Sequence, residues 1–321
     1  MYKYKIIVNP TSGRGAGKKS IPHIERVLTE HNLDFDIART ERPWHAAELA
    51  QEAATAGYDV IVAAGGDGTA NEVINGLMQA KNPPLVPATG GKKEKECAMA
   101  VLSVGRGNDF AYSMNIPTDL EAGFQALIRD HRRKIDVGRV VGGLYPEGRY
   151  FGNGVGIGFD TIVGFESAKM TWLTGFPSYI AAVFKTIFLY YNAPLIKIEC
   201  DERTITQPSL MISIMNGRRL GGGFFVTPGA KSDDGLFDLC LTHGVSRARV
   251  FGLIPHFLRG TQATQEPIKM ERARKVVISA IEGSLPAHAD GETLCTKGQR
   301  LELELLPGQI EIICLPPEAV E

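Results

Sequence analysis

The run VIVAAGGDGTANEVINGL, Val60 to Leu77, constrains the fold more than any other part of the chain. Val60 to Ala64 is uncharged and apolar throughout, the profile of a strand buried on both faces of a parallel sheet. A helix is expected from about Thr69, with Val73, Ile74 and Leu77 at helical spacing. Such a junction lies at the carboxyl edge of an α/β sheet, where ligands collect. Gly65, Gly66 and Gly68 let the backbone approach a ligand closely. The N–H groups of the turn and helix N-terminus favour an anion, phosphate above all, and Thr69 is a suitable N-cap. Asp67 is the odd member, because a carboxylate repels phosphate. It fits as a Mg²⁺ ligand, direct or through water, or as an acceptor for N–H groups and a ribose. A tight turn capped locally by Asp explains it equally well.

The flanking pattern supports a doubly wound α/β domain. Tyr4 to Val8, Phe35 to Ala38, Val60 to Ala64 and Ala98 to Val104 read as strands, with helices over Lys18 to His31 and His45 to Ala56. After about Ile135 the texture changes to short β-rich runs between turns: RYFGNGVGIGF, LIKIEC, LMISIMNG, GLFDLCL, KVVISAI and RLELELL. That spacing predicts an antiparallel β-sandwich. A chain of 321 residues is long for one core, so two domains are expected. The stretch Ala88 to Ala98 reads as a solvated surface loop. The alternate glycines Gly152, Gly154, Gly156 and Gly158 leave one strand face bare for close packing of backbone, helix or ligand.

Several function classes recede. A net charge of -1 gives no global pull towards nucleic acid. Five scattered cysteines without a CxxC read as reduced, mostly buried thiols of a cytoplasmic protein, not as a metal site. The opening MYKYKIIVNP enters a strand-like run with no apolar leader. Tyr179 to Pro194 is interrupted by Lys185 and too short to span a bilayer; it reads as a core helix, or as one that lines an acyl chain or rests on a membrane. A Walker A is broken by Ser12 and Lys19, and a dinucleotide fingerprint by Asn71. Basic clusters at Arg129 to Lys134, Arg218-Arg219 and Arg272 to Lys275 read as solvated faces or as contacts for anionic headgroups.

Five blocks occur in order: NPTSG (Asn9 to Gly13), GGDGT (Gly65 to Thr69), GRGNDFA (Gly105 to Ala111), GGGFFVTPGAKSDDGLFDL (Gly221 to Leu239) and ADGE (Ala289 to Glu292). Together they resemble the bacterial diacylglycerol kinase-like lipid kinases, whose wider group includes sphingosine and ceramide kinases. GGDGT by itself is shared with NAD kinases. The resemblance implies an α/β nucleotide-binding domain over 1–135, completed by about 305–321, and a β-sandwich domain over 136–304. ATP would bind through Asn9, Pro10, Thr11, Ser12, Gly13, Gly65, Gly66, Asp67, Gly68, Thr69 and Asn71, with Thr40 on the adenosine side and Arg106, Asn108 and Asp109 closing the site. Arg106 stands where that group more often carries Thr. Arg14 and Lys18 are further cations near these loops.

The resemblance also implies a Mg²⁺ on Asp234, with backbone carbonyls near Lys231 and Leu236, although Asp-Gly is equally a favoured hairpin pair. Glu292 is the expected catalytic base, with Asp290 as its orienting partner or the base itself. The expected activity is ATP- and Mg²⁺-dependent phosphorylation of diacylglycerol or a similar lipid alcohol. Its place would be the cytoplasm, peripheral at the inner membrane face, with no nucleic-acid partner and a homodimer left open. The rivals are an NAD kinase-like enzyme and a nucleotide-binding regulator without turnover.

Overall fold

The computed structural model describes residues 2–81, 97–170, 173 and 176–316. The expected surface loop at 88–96 lies outside them. Residue contacts divide the chain into two units, Met1–Ile135 with Gly308–Glu321, and Asp136–Pro307.

The first unit alternates β1 (Lys3–Val8), α1 (Ser12–Glu30), β2 (Asp34–Arg39), α2 (His45–Thr55), β3 (Val60–Gly65), α3 (Asp67–Lys81), β4 (Ala98–Ser103), α4 (Asp109–Ser113) and α5 (Leu120–Arg129). β1 pairs in parallel with both β2 and β3, and β3 with β4. The strand order is therefore β4-β3-β1-β2, with the switch point between β1 and β3. Side chains of alternate residues supply each face. Ile6, Val8, Val60, Val62, Ala100 and Leu102 pack with Ile21, Ile24 and Leu28 of α1 and Phe124 and Leu127 of α5. Asp119 caps α5 by accepting from Ala122 N at 3.0 Å.

The second unit begins within β5 (Arg132–Gly142) and continues with β6 (Tyr145–Phe151), β7 (Gly154–Gly158), α6 (Phe159–Lys169), α7 (Phe176–Leu189), β8 (Leu195–Cys200) and β9 (Arg203–Met215). Then follow β10 (Arg219–Leu220), β11 (Phe224–Phe225), β12 (Phe237–His243), α8 (Arg247–Arg259), β13 (Ile268–Ala273), β14 (Lys275–Ala280), β15 (Leu285–Ala289), β16 (Glu292–Gly298) and β17 (Arg300–Ile313), whose end from Gly308 on belongs to the first unit and pairs in parallel with β4. β9 serves both layers of a sandwich: its first half pairs with β8, and its second half pairs with β7 and β12. Val155, Ile157, Ile196, Ile198, Ile212, Ile214, Val276 and Leu303 fill the space between. Burying such a core stabilises the unit at about 25 cal/mol per Å² of apolar surface.

Two expectations need correction. RYFGNGVGIGF is two strands, since the chain breaks from the ladder at Gly152-Asn153 between β6 and β7. The second unit is also not all β beyond the helix at Tyr179: α6 and α8 lie on the same outer face as α7, meeting it through Val163, Val183, Leu210 and Val250. All five cysteines are free and buried, and burial pushes the thiols of Cys97 and Cys240 up to about 12. Among the described residues no helix is long and apolar enough to cross a membrane.

Candidate active site

In the first unit, three loops meet at the carboxyl edge of the sheet, beside the switch point. The loop after β1 is tied to β3 and α3: Asn9 N donates to Ala64 O at 3.0 Å, and Asn9 Nδ2 to Thr69 Oγ1 at 3.2 Å. Asn9 Oδ1 in turn accepts from Thr11 N and Thr11 Oγ1, so one amide shapes the turn. Gly13, Arg14 and Gly15 all take positive φ. A Cβ on Gly13 would sit 2.3 Å from Val104 O, which fixes how closely the first loop approaches the third. Val104 N and Gly105 N both donate to Gly65 O, closing the third loop on the second. Thr40 is anchored at the same edge, its N–H donating to Val8 O at 2.9 Å.

Asp67 opens α3, and its Oδ1 accepts from Phe110 N at 2.9 Å. One carboxylate therefore sits at the N-terminus of its own helix and caps α4, both favourable for negative charge. The bond is not a local cap, since Phe110 lies 43 positions on, and the Asp67 Oδ2 faces Gly107. Asn108 takes positive φ, and its Oδ1 flanks Gly105 and Gly66. Arg106 is exposed between two glycines and forms no hydrogen bond or ion pair with a described residue. Asn71 lies one turn into α3, buried, and its carbonyl accepts from Asn75 Nδ2 at 2.9 Å. The arrangement suits a polyphosphate: backbone N–H groups, amides, a free cation and one carboxylate able to meet a phosphate-bound metal.

The contact between the second and third loops gives a direct test. A Cβ on Gly105 would fall 2.4 Å from Gly66 Cα and 2.7 Å from Asn108 Oδ1, backbone and side chain that cannot both give way. Gly105→Ala is expected to displace the loops by the better part of an ångström and to lower turnover about 100-fold. Steady-state kinetics beside a thermal melt would separate a misplaced loop from a lost fold.

In the second unit, Asp290 and Gly291 form the two-residue turn between β15 and β16, with φ of 47° and 87°. Positive φ at both positions is the signature of a type I′ hairpin. The Asp290 carboxylate is almost fully buried. Its Oδ2 accepts from Gly152 N at 2.8 Å, and its Oδ1 accepts from Asn153 N at 3.0 Å and Gly154 N at 2.8 Å. Those donors are the ones released where β6 breaks into β7. Glu292, two residues on, is exposed and has no hydrogen-bond or ion-pair partner among the described residues. Of the two acids, Asp290 is the one held by the fold.

Asn216 links this turn to the Asp233-Asp234-Gly235 turn. Its Nδ2 donates to Gly152 O and Asp136 O, both at 2.9 Å, and Asp136 Oδ2 accepts from Gly235 N at 2.7 Å. Asp136, Asn153 and Asn216 were not singled out from the sequence, although the Asn-Gly pairs at 153 and 216 are turn signals. Asp234 Oδ1 accepts from Leu236 N at 3.2 Å, and its Oδ2 is held by the Arg272 guanidinium, which also pairs with Asp238 at 3.5 Å. Lys231 is exposed beside this turn. Among the described residues no three His, Cys, Asp or Glu side chains are grouped to hold a metal. Asp234 is thus paired with Arg272, and the Mg²⁺ site that the resemblance implies there, one carboxylate with backbone carbonyls, needs no such cluster.

Other expectations resolve similarly. The bare face of the glycine strand is occupied: Met215 sulfur covers Gly154, while Asp160 Oδ2 and His288 Nε2 both crowd the space above Gly156. Burial pushes the Asp160 carboxyl up to about 7 and the His288 imidazole down to about 4. The basic clusters are largely engaged within the fold. Arg132 pairs with Asp130 and Glu311, Arg218 donates to Ala230 O, and Lys275 pairs with Glu304.

Comparison with known proteins fits this construction. Residues 3–140 match the diacylglycerol kinase catalytic domain, and residues 153–314 match the YegS C-terminal NAD kinase beta sandwich-like domain. A diacylglycerol kinase of Staphylococcus saprophyticus is 27% identical over 90% of this chain and 88% of its own length. That of Staphylococcus aureus strain Newman is 28% identical over 90% and 85%. In fold, the crystal structure of a diacylglycerol kinase from Bacillus anthracis str. Sterne superposes with a TM-score of 0.69 at 22% identity, covering 99% of this chain and 98% of the other. With both of its domain types matched along nearly the whole length, the chain belongs to the diacylglycerol kinase-like family and is a lipid kinase.

Proposed function

We propose that this kinase transfers the γ-phosphoryl group of ATP, with Mg²⁺, to the hydroxyl of diacylglycerol or a similar lipid alcohol. The observation that carries the reading is the meeting of three glycine-containing loops at the switch point of the parallel sheet. The loop N–H groups hold the phosphates, Asn9 and Asn108 set the shape of the turns, and Thr40 borders the adenosine side. Bound at the phosphates and reached by Asp67, Mg²⁺ would neutralise charge that builds on the transferring group. Glu292 accepts the proton of the lipid hydroxyl as its oxygen bonds to the γ-phosphorus and the bond to the β-phosphate oxygen breaks. Asp290 keeps the turn that carries Glu292 in one conformation. The protein works in the cytoplasm and meets its substrate as a peripheral protein at the inner membrane face.

Transfer of labelled γ-phosphate tests this, using diacylglycerol, an alkylglycerol, a sphingoid base and a polyprenol in mixed micelles, with NAD as a soluble competitor. Label is expected on a lipid alcohol, lowered about 100-fold or more in Asp67→Ala. Label on NAD alone would establish the NAD kinase reading instead. ATP bound with no label on any acceptor would leave a nucleotide-binding regulator.

A further inference from the structure

The hairpin that carries Asp290 and Glu292 is tied down at two points. The first is Asp290, whose carboxylate takes three backbone donors from the break between β6 and β7. The second is Gly291, at the tip of the loop with φ of 87°. There the β15–β16 ladder, which closes on the Ala289 and Glu292 pair, offers its N–H no partner. That N–H donates instead to Nδ1 of His288, three positions back, at 3.3 Å. His288 is buried and stands opposite Gly156 in the pairing of β15 with β7, and Gly156 stands opposite Ser213 of β9. Three neighbouring strands therefore present an imidazole, no side chain and a hydroxyl in one row across the sheet.

The start of α6 fills the gap that the glycine leaves. Thr161 Oγ1 donates to Gly156 O at 2.8 Å and fixes the helix on β7. Beside it, Asp160 accepts from Thr161 N through Oδ1 at 2.8 Å and from Ser213 Oγ through Oδ2 at 3.3 Å. Asp160 Oδ2 and His288 Nε2 lie 2.2 and 2.5 Å from one point, the place a Cβ on Gly156 would take. A neutral imidazole that accepts at Nδ1 carries its proton on Nε2, and a carboxylate facing Nε2 favours that tautomer. Burial keeps the ring neutral. The ring thus has an acceptor towards the turn and a donor towards α6. What it holds is the backbone one residue before Glu292.

We propose that His288 is a positioning residue for phosphoryl transfer, holding the Asp290-Gly291 turn through Nδ1 while Asp160 fixes its tautomer through Nε2. The proposal rests on the reading of this turn as the carrier of the catalytic acid, whichever of Asp290 and Glu292 that is. The test compares two amides that each replace one ring nitrogen: Oδ1 of Asn falls where Nδ1 stands, and the amide of Gln falls where Nε2 stands. At about pH 8 the ring is neutral and Asp160 ionised. There His288→Asn should keep kcat within about threefold of wild type, while His288→Gln should lower it about 10- to 100-fold with KM for ATP unchanged. Hydrogen exchange at the Gly291 amide needs no substrate and should quicken about tenfold in His288→Gln but not in His288→Asn. In the wild type, ¹⁵N shifts of the His288 ring should show Nε2 protonated and Nδ1 bare. A ring protonated on Nδ1 overturns the proposal, as do equal kcat and equal Gly291 exchange in the two variants, whether high or low. Wild type that transfers phosphate to no lipid alcohol fails the lipid-kinase reading, and the ring shifts and the exchange then decide the role of His288 without it.

Discussion

Glu292→Gln is expected to leave the protein folded and to lower phosphoryl transfer by about 10²- to 10⁴-fold, the range for removing a general base. The side chain starts β16 in an exposed position and makes no hydrogen bond to a described residue, so an isosteric amide disturbs nothing nearby. Asp290→Asn should behave in the opposite way. Both carboxylate oxygens accept buried backbone N–H groups, three in all, where the chain passes from β6 to β7. An amide presents NH₂ to at least one of those donors, leaving it unpaired in the interior. Hydrogen bonds to a charged group contribute about 1.5–3 kcal/mol each, so a loss of about 3 kcal/mol is expected, with activity falling through the fold. Denaturant titration beside kcat distinguishes the two. A Glu292→Gln enzyme with wild-type kcat, paired with a stable but inactive Asp290→Asn, would move the base to Asp290.

The second large effect concerns pH. Asp160 and His288 face each other above Gly156, and burial moves their protonation in opposite directions. His288 Nδ1 accepts from Gly291 N at 3.3 Å, so the neutral ring carries its proton on Nε2, and protonating Nδ1 would break that bond. A carboxyl raised to about 7 gives stability that is full below its ordinary value and lost as pH rises towards 7. A histidine lowered to about 4 gives stability that is full above its ordinary value of 6.5 and lost as pH falls towards 4. Between roughly pH 4.5 and 6 the folded chain keeps a proton on Asp160 and releases one from His288, so the two slopes cancel.

Single substitutions uncover each slope. With Asp160→Asn, stability in that window should rise with pH by up to about 1.4 kcal/mol per unit. With His288→Asn it should fall with pH by a similar amount. Chemical denaturation at pH 4.5, 5.25 and 6 would measure both; parallel, flat profiles in all three proteins would mean the pair does not titrate in this way.

Much of the first unit is legible along the chain because its signals are local. An uncharged run of five residues buried on both faces, then glycines, then a 3.6-residue period, leaves few alternatives to β3, its turn and α3. The sandwich strands read almost as well where residues alternate, as in LIKIEC and RLELELL. α6 and α8 were less visible. α6 starts directly from the glycine strand, and Pro255 interrupts the α8 pattern. The caps of α8 are nonetheless written in the sequence, with Ser246 Oγ accepting from Arg249 N and Gly260 in left-handed conformation at its end.

The glycine and aspartate motifs are determined by the sequence, because backbone freedom and turn preference belong to single residues. What each carboxylate does is not a property of a single residue. Asp67, Asp234 and Asp290 stand in similar Asp-Gly pairs, yet the fold gives them a helix N–H, a guanidinium and three buried amides respectively. Those partners come from 38 to 138 positions away, so only tertiary packing could choose which acid is tied down and which, Glu292, is left open to solvent.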